Sequence, residues 1–180
     1  VARTIPITAV NDPPTLTATA GSAAFTEGSG GTAIDTTLTV TAPDETQLNA
    51  ATIQTTTNYD NGDDMLEVTT QNGITGSFVA GTGTLTLTGT ASKANYQAAL
   101  RSVTFRNTSD TPTTGVRTVT FRVSDGTANS NTALRTVTVT PTNDAPTVTT
   151  SSGSTNYTEN AAAVVIDAGL TVADVDDADL

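Results

Sequence analysis

The sequence predicts an all-β protein built from β-sandwich repeats, with one short helix. Three observations carry that prediction. Short alternating runs of apolar and polar residues are separated by Gly, Asn, Asp and Pro turn signals, the pattern of a sandwich. Threonine, β-branched and hydroxylated, makes up 43 of the 180 residues and suits the solvent face of a strand. Residues 1–48 shifted by 132 positions fall on 133–180 without a gap, and 19 of those 48 positions are identical. Such a match within one chain indicates tandem duplication. It implies that residues 1–12 are the last strand of a preceding repeat plus its linker, that 13–142 are a complete repeat, and that 143–180 are a linker with the first strands of the next.

Taken in order, VARTIPITAV (1–10) matches ALRTVTVTPT (133–142) and reads as a closing strand broken at Pro6. Asn11-Asp12-Pro13-Pro14 is a stiff, extended connection, because the two prolines fix φ and remove donors. Residues 16–25 form a strand region, 28–31 a Gly-rich loop, and 34–40 a second strand ending at Ala42-Pro43-Asp44-Glu45. The run 50–59 leads into an acidic turn, Asp60-Asn61-Gly62-Asp63-Asp64, read as solvated. Residues 65–70 alternate, Asn72-Gly73 is a tight hairpin turn, and 81–83 turn into the strand 84–88. ASKANYQAALR (91–101) is the helix: Ser92 caps it, and Tyr96 and Leu100 share a face at i,i+4. Strand returns at 103–105, followed by a polar loop to Gly115. Residues 116–123 alternate strictly, with Arg117 in phase with Val119, Phe121 and Val123. Asp125-Gly126 is a turn, and 133–140 is the closing strand.

Composition narrows the chemistry. Formal charge is −11, from 18 acidic and 7 basic residues, which argues against a nucleic-acid or anionic-membrane partner. No run reaches about 18 apolar residues, so no helix in this segment is expected to insert into a membrane. There is no Cys and no His, which removes thiolate nucleophiles, the usual general base and soft-metal ligands. Hard oxygen ligands remain, and for acidic loops the cation they suit first is Ca2+. Aromatic residues are 4% of the chain, too few for the usual sugar-stacking cleft, and no enzyme is expected.

Calcium takes about 6–8 oxygens, which several separated segments can supply at a junction. One junction offers Asn143 and Asp144 from the linker with Glu159, Asp174 and Asp176; the spacing around Val175 lets two carboxylates face one ion. The earlier junction offers Asn11, Asp12, Glu27, Asp44 and Glu45, with Ala42 in the place of Asp174. Asp125, in a late turn, is expected to return to that same end. The other reading of these residues is a set of solvated turn acids. No contiguous twelve-position EF-hand loop is present. Asp35 and Asp167 read as marks of strand edges.

The segments TVTVTPTNDAPTVT (136–149), FTEG (25–28), YTEN (157–160) and VADVDDADL (172–180) resemble the cadherin-like tandem repeats of giant bacterial surface proteins and adhesins. So do GITGSFVAGTGTLTLTGTASKANYQAALRSVTFRNTSD (73–110) and RTVTFRVSDG (117–126). The resemblance implies an immunoglobulin/cadherin-like Greek-key β-sandwich. It implies Ca2+ at the joints, with Glu27 and Glu159 as the acid near the first strand, Asp174 and Asp176 as the DxD pair, Asn143 and Asp144 as the linker, and Asp125 as the late-strand aspartate. The sequence departs from that pattern at Ala42 and lacks a clear mid-domain acidic motif.

The expected function is that of a structural spacer or adhesion repeat in a long, extracellular bacterial cell-surface protein, with calcium-rigidified joints and neighbouring repeats of the same chain as partners. The alternative is a glycan- or protein-binding module of a surface adhesin.

Overall fold

The computed structural model describes residues 3–177 and Asp179. The chain divides into two compact units, Val1–Pro141 and Thr142–Leu180.

Unit 1 is all-β with, among the described residues, one α-helix and one turn of 3-10 helix at Ala80–Thr82. It runs through β1 (Thr15–Thr17), β2 (Ser22–Thr26), β3 (Thr32–Ala33), β4 (Thr39–Thr41), β5 (Gln47–Thr57), β6 (Asp64–Glu67), β7 (Thr75–Val79), β8 (Thr84–Ser92), α1 (Lys93–Arg101), β9 (Thr104–Asn107), β10 (Arg117–Ser124) and β11 (Ala133–Thr140). Six strands form one sheet in the order β2-β11-β10-β5-β8-β7. Its pairs are antiparallel except β2 and β11, which run parallel. β3, β9 and β6 form a three-stranded sheet, and β1 pairs with β4.

Period-2 alternation decides which face of each strand is covered. Val119, Phe121 and Val123 of β10, Ile53 of β5, Leu85 and Leu87 of β8, and Val137 of β11 all enter one core. The smaller sheet adds Leu66 and Phe105. Phe25 of β2 meets Phe105 of β9 edge-on, with ring centroids 5.4 Å apart, which ties the two sheets together. The opposite face of the large sheet carries the threonines.

Helix α1 forms where its cap predicts. The Ser92 hydroxyl accepts from the Asn95 N–H at 3.2 Å. Tyr96, Ala99 and Leu100 are its buried face. Arg101 closes the last turn, and its Nε donates to the Leu38 carbonyl at 2.8 Å. Gln97 Oε1 accepts from the Val40 N–H, which ties β4 to the helix. Asn72 and Gly73, both at positive φ (53° and 78°), make the two-residue turn bridged by Gln71 and Ile74. Gly89 backs that turn so closely that a Cβ there would lie 2.1 Å from the Gly73 carbonyl oxygen, so no other residue fits.

Four expectations change. Residues 16–25 are two strands, β1 and β2, and 34–40 is interrupted between β3 and β4. Asp35 causes both breaks. Its buried carboxylate accepts from the Thr19 N–H (2.7 Å), the Thr19 hydroxyl (2.8 Å) and the Thr37 N–H (3.1 Å), so these groups turn away from any ladder. Residues 3–10 are exposed and form no strand, since no neighbour among the described residues plays the part that β10 and β2 play for β11. The acidic turn is not wholly solvated. Asp64 is buried and paired with Arg117, which is itself fully buried (Nε–Oδ2 3.1 Å, Nη2–Oδ1 3.3 Å). Asn107 Nδ2 (2.7 Å) and the Asp60 N–H (2.9 Å) complete the carboxylate's shell. Arg117 also donates to the Gly115 carbonyl at 2.7 Å, to the Thr113 hydroxyl at 3.0 Å and to the Thr113 carbonyl.

Burial opposes ionisation of Asp35, but the donors from Thr19 and Thr37 and the charge of Arg135 outweigh it and hold the carboxyl below the usual range. A lowered folded pKa means a contribution present in full above about pH 4 and lost as pH falls through the folded value. Asp35→Asn is therefore expected to cost about 1–3 kcal/mol at pH 7. The gap between variant and parent melting temperatures should narrow below about pH 4.

Unit 2 holds β12 (Thr147–Thr149) and β13 (Thr171–Ala173). Their register, Thr147↔Ala173, Val148↔Val172 and Thr149↔Thr171, is the β1–β4 register (Thr15↔Thr41, Leu16↔Val40, Thr17↔Thr39) displaced by 132 at every position. The Asp35 hub recurs at Asp167, which accepts from the Ser151 N–H (2.8 Å), the Ser151 hydroxyl (2.6 Å) and the Gly169 N–H (2.9 Å). These donors hold the Asp167 carboxyl below its usual range, the Ser151 hydroxyl foremost. The core positions differ. Phe25, Ile34 and Leu38 are 0–1% exposed, whereas Tyr157, Ile166 and Leu170 are 60, 84 and 47% exposed. The elements that cover these positions in unit 1 have no counterpart among the described residues of unit 2.

Candidate metal sites

At the entry end of unit 1, two consecutive linker residues each reach an acid. Asn11 Nδ2 donates to Asp125 Oδ2 at 3.2 Å, and the Asp12 N–H donates to Asp44 Oδ2 at 2.6 Å. Asn11 and Asp12 are adjacent in the chain, so Asp44 and Asp125 come to the same end. The turn after β10 holds Asp125 through Oδ1, which accepts from the Thr127 and Ala128 N–H groups at 2.7 Å each. The Ala128 donor is the largest influence and lowers its pKa; burial opposes this, but the donors from Thr127 and Asn11 add to Ala128 and hold the carboxyl below its usual range. Behind this end, Asn131 clamps β1: its Oδ1 accepts from the Leu16 N–H at 2.8 Å and its Nδ2 donates to the Leu16 carbonyl at 2.9 Å. Sequence reasoning missed Asn131, and nothing in its local pattern marks it.

Asp12, Asp44 and Asp125 do not form a three-carboxylate group with ligand atoms within 4.8 Å among the described residues. A cation at this end would need amide and main-chain oxygens as well. Ala42, in place of a second DxD acid, is buried, and its carbonyl accepts from Lys93 Nζ at 3.2 Å.

Glu27 does not join this group, contrary to the sequence expectation. Because β2 runs parallel to β11 with Thr26 opposite Thr140, Glu27 sits where β11 ends, and its N–H donates to the Thr140 carbonyl at 3.0 Å. Asp125 precedes β11. Eight residues of strand therefore separate the two acids along the sheet, roughly 25 Å. Glu27 is buried, and one of its carboxylate oxygens lies within 4.8 Å of one from Asp110, in the loop after β9. Asp110 was not foreseen; its loop reads only as polar.

In unit 2 the Asp144 N–H donates to Asp176 Oδ2 at 2.6 Å, the counterpart of Asp12 and Asp44. Asn143 Nδ2 donates to the Asp144 carbonyl at 2.7 Å. Asp174 Oδ1 is turned inward to accept from the Asp176 and Asp177 N–H groups at 2.9 and 3.0 Å. Glu159 is exposed beside Asn160, and no acidic group among the described residues joins it to Asp174 and Asp176.

The outer face of the large sheet bears a shallow depression of about 300 Å³ lined by Thr52, Gln54, Thr120, Arg122, Ser124 and Asn129, with no aromatic ring in its wall. Among the described residues no helix is long and apolar enough to cross a membrane.

No protein-family model and no solved structure matches this chain. Over 100 residues, 53% of the chain, it is 38% identical to halomucin of Haloquadratum walsbyi (strain DSM 16790 / HBSQ001). The matched stretch is 1% of halomucin. The similarity is thus to a small part of a very long protein.

Proposed function

We propose that this chain is a stretch of a long, extracellular surface protein in which all-β units follow one another as non-catalytic structural spacers, with Ca2+ stiffening their acidic ends. The observation that carries this reading is the register of β12 and β13, which repeats that of β1 and β4 at a constant offset, down to the Asp144–Asp176 and Asp12–Asp44 contacts. The match to a small part of halomucin supports a place in a very long chain. On this reading the units are cadherin-like Greek-key sandwiches, in keeping with the resemblance of their sequence.

Asp44, Asp125, Asn11 and Asp12 are the ligand candidates at the entry end of unit 1. Glu27 and Asp110 are those at its exit. Asn143 and Asp144, at the start of unit 2, are further ligand candidates. Asp174, Asp176 and Glu159 are the candidates carried by unit 2. Without a cation, acids crowded at either end repel one another; with one, the same acids become cross-links. The wall of the outer depression has no ring to stack on a sugar and gives the glycan-binding alternative no support.

The test is thermal unfolding of the 180-residue chain in Ca2+ and in chelator at matched ionic strength. Saturating Ca2+ should raise stability by about 2–3 kcal/mol if the ion is present at some hundredfold over its dissociation constant. Asp44→Asn combined with Asp125→Asn should remove part of that gain. An unchanged melting temperature, together with unchanged flexibility by scattering, would sink the calcium joint and leave the spacer role to be judged on the repeat alone.

A further inference from the structure

The geometry points to β7 as a self-association edge through which two copies of this chain pair, antiparallel, about a two-fold axis at Ser77. β7 is the last strand of the six-stranded sheet, and no strand among the described residues pairs with its outer side. An open edge of this kind is a template for another strand unless charge, proline or a bulge protects it. β7 has none of these: Thr75-Gly76-Ser77-Phe78-Val79 is uncharged, proline-free and in unbroken register with β8.

The occupant follows from charge and shape. The chain carries −11 overall, so two copies repel over most of their surfaces. Residues 68–92, from the approach to β7 through β8, contain no charged side chain. β7 and β8 therefore bring no acid of their own to such a contact, and the nearby Glu67 of β6 is paired with Arg106 at 3.5 Å. The other edge strand, β2, lies next to Glu27 and to the Asp35–Arg135 cluster and lacks this quiet surround.

An antiparallel pair centred on Ser77 sets Phe78 of one copy opposite Gly76 of its mate, and Val79 opposite Thr75. Gly76 faces the core layer, where a Cβ would strike the Val68 side chain at 2.3 Å, so it presents no side chain of its own. The half-buried Phe78 ring borders the same open seam between β7 and β6, a space of about 440 Å³ whose wall combines Leu66, Val68, Phe78 and Leu85 with Glu67 and Thr104. Crossing the axis, each ring lies beside the side-chain-free backbone of the opposite glycine, an aromatic–glycine match of the kind that steadies paired strands. The contact is isologous, so it closes as a dimer for one unit. Five paired residues bury little area, which places the contact in the weak class below about 1,200 Å². Several such edges along one long chain would add by avidity.

The experiment uses the 180-residue chain, which has no cysteine of its own. Sedimentation across a concentration series should show a weak monomer–dimer equilibrium. Ser77→Cys should form a disulfide-linked dimer under mild oxidation, whereas Ser22→Cys, on the opposite edge, should not. Ser77→Lys and Ser77→Glu should each weaken self-association by roughly tenfold or more with the circular dichroism spectrum unchanged, because like charges meet at the axis. An equimolar mixture of the two should restore association. A chain that stays monomeric with no Ser77→Cys dimer overturns the assignment. So does a dimer that cross-links through Ser22→Cys instead, or one that is indifferent to Ser77→Lys.

Discussion

Replacing Arg117 by alanine is expected to destabilise unit 1 by about 3–5 kcal/mol, read from the midpoint of urea unfolding. The reason is the charge left behind. Asp64 is 1% exposed and has its guanidinium partner at 3.1 Å. Once the arginine is gone, the carboxylate keeps only Asn107 and the Asp60 N–H, too little to balance its lost hydration. The main-chain carbonyls of Thr113 and Gly115 lose their donor at the same time, so the loop before β10 loosens. Asp64→Leu combined with Arg117→Met should recover much of the loss, because no unpaired charge is then buried. A residual cost of about 1–3 kcal/mol should remain from the Asn107 amide, which loses its acceptor when Asp64 is replaced. If the double variant is no more stable than Arg117→Ala, then shape rather than charge governs the site.

The second large effect pairs two positions that the repeat makes equivalent. Phe25→Ala should cost about 3–5 kcal/mol, since the ring is fully buried and its loss leaves a cavity beside Phe105. Tyr157→Ala, 132 residues later, should change stability by no more than about 0.5 kcal/mol, because that ring is 60% exposed. Both variants can be followed by the same chemical denaturation curve of the whole chain. A comparable loss at Tyr157 would mean that unit 2 buries this ring in solution.

Much of the fold was legible because local rules decided it. Ser92 at the cap and Tyr96 and Leu100 at i,i+4 were enough to find α1. Asn72-Gly73 was enough to find a turn at positive φ. Strict alternation located β10 and β11. Reading failed where a decision lay far away in sequence. Asp35 breaks two strands through Thr19, sixteen residues earlier, and its local pattern looks like an ordinary strand. Asp64 looked solvated because its turn is acidic and its partner lies 53 residues on. A signal was nevertheless present: Arg117 falls in phase with Val119, Phe121 and Val123, and a cation on a core-facing phase needs a buried anion. For the acids, the linker residues Asn11 and Asp12 were legible as candidates, and in the fold they hydrogen-bond to Asp125 and Asp44. Glu27 went to the wrong end because its place depends on the direction of β2 beside β11, which composition and spacing do not encode.

That parallel pairing has a mechanical consequence. The chain enters unit 1 at Asn11, tethered to Asp125 ahead of β11, and leaves at Pro141, directly beyond the last residue of β11. Tension applied between entry and exit therefore runs along the strand axes. The bonds between β2 and β11, from Ser22–Thr136 to Thr26–Thr140, are loaded together in shear, so the strands cannot unzip one rung at a time. A pulled chain would give way at such a unit only when the whole set of rungs fails at once. The same seam that sends Glu27 to the exit end thus acts as the unit's clamp against stretching.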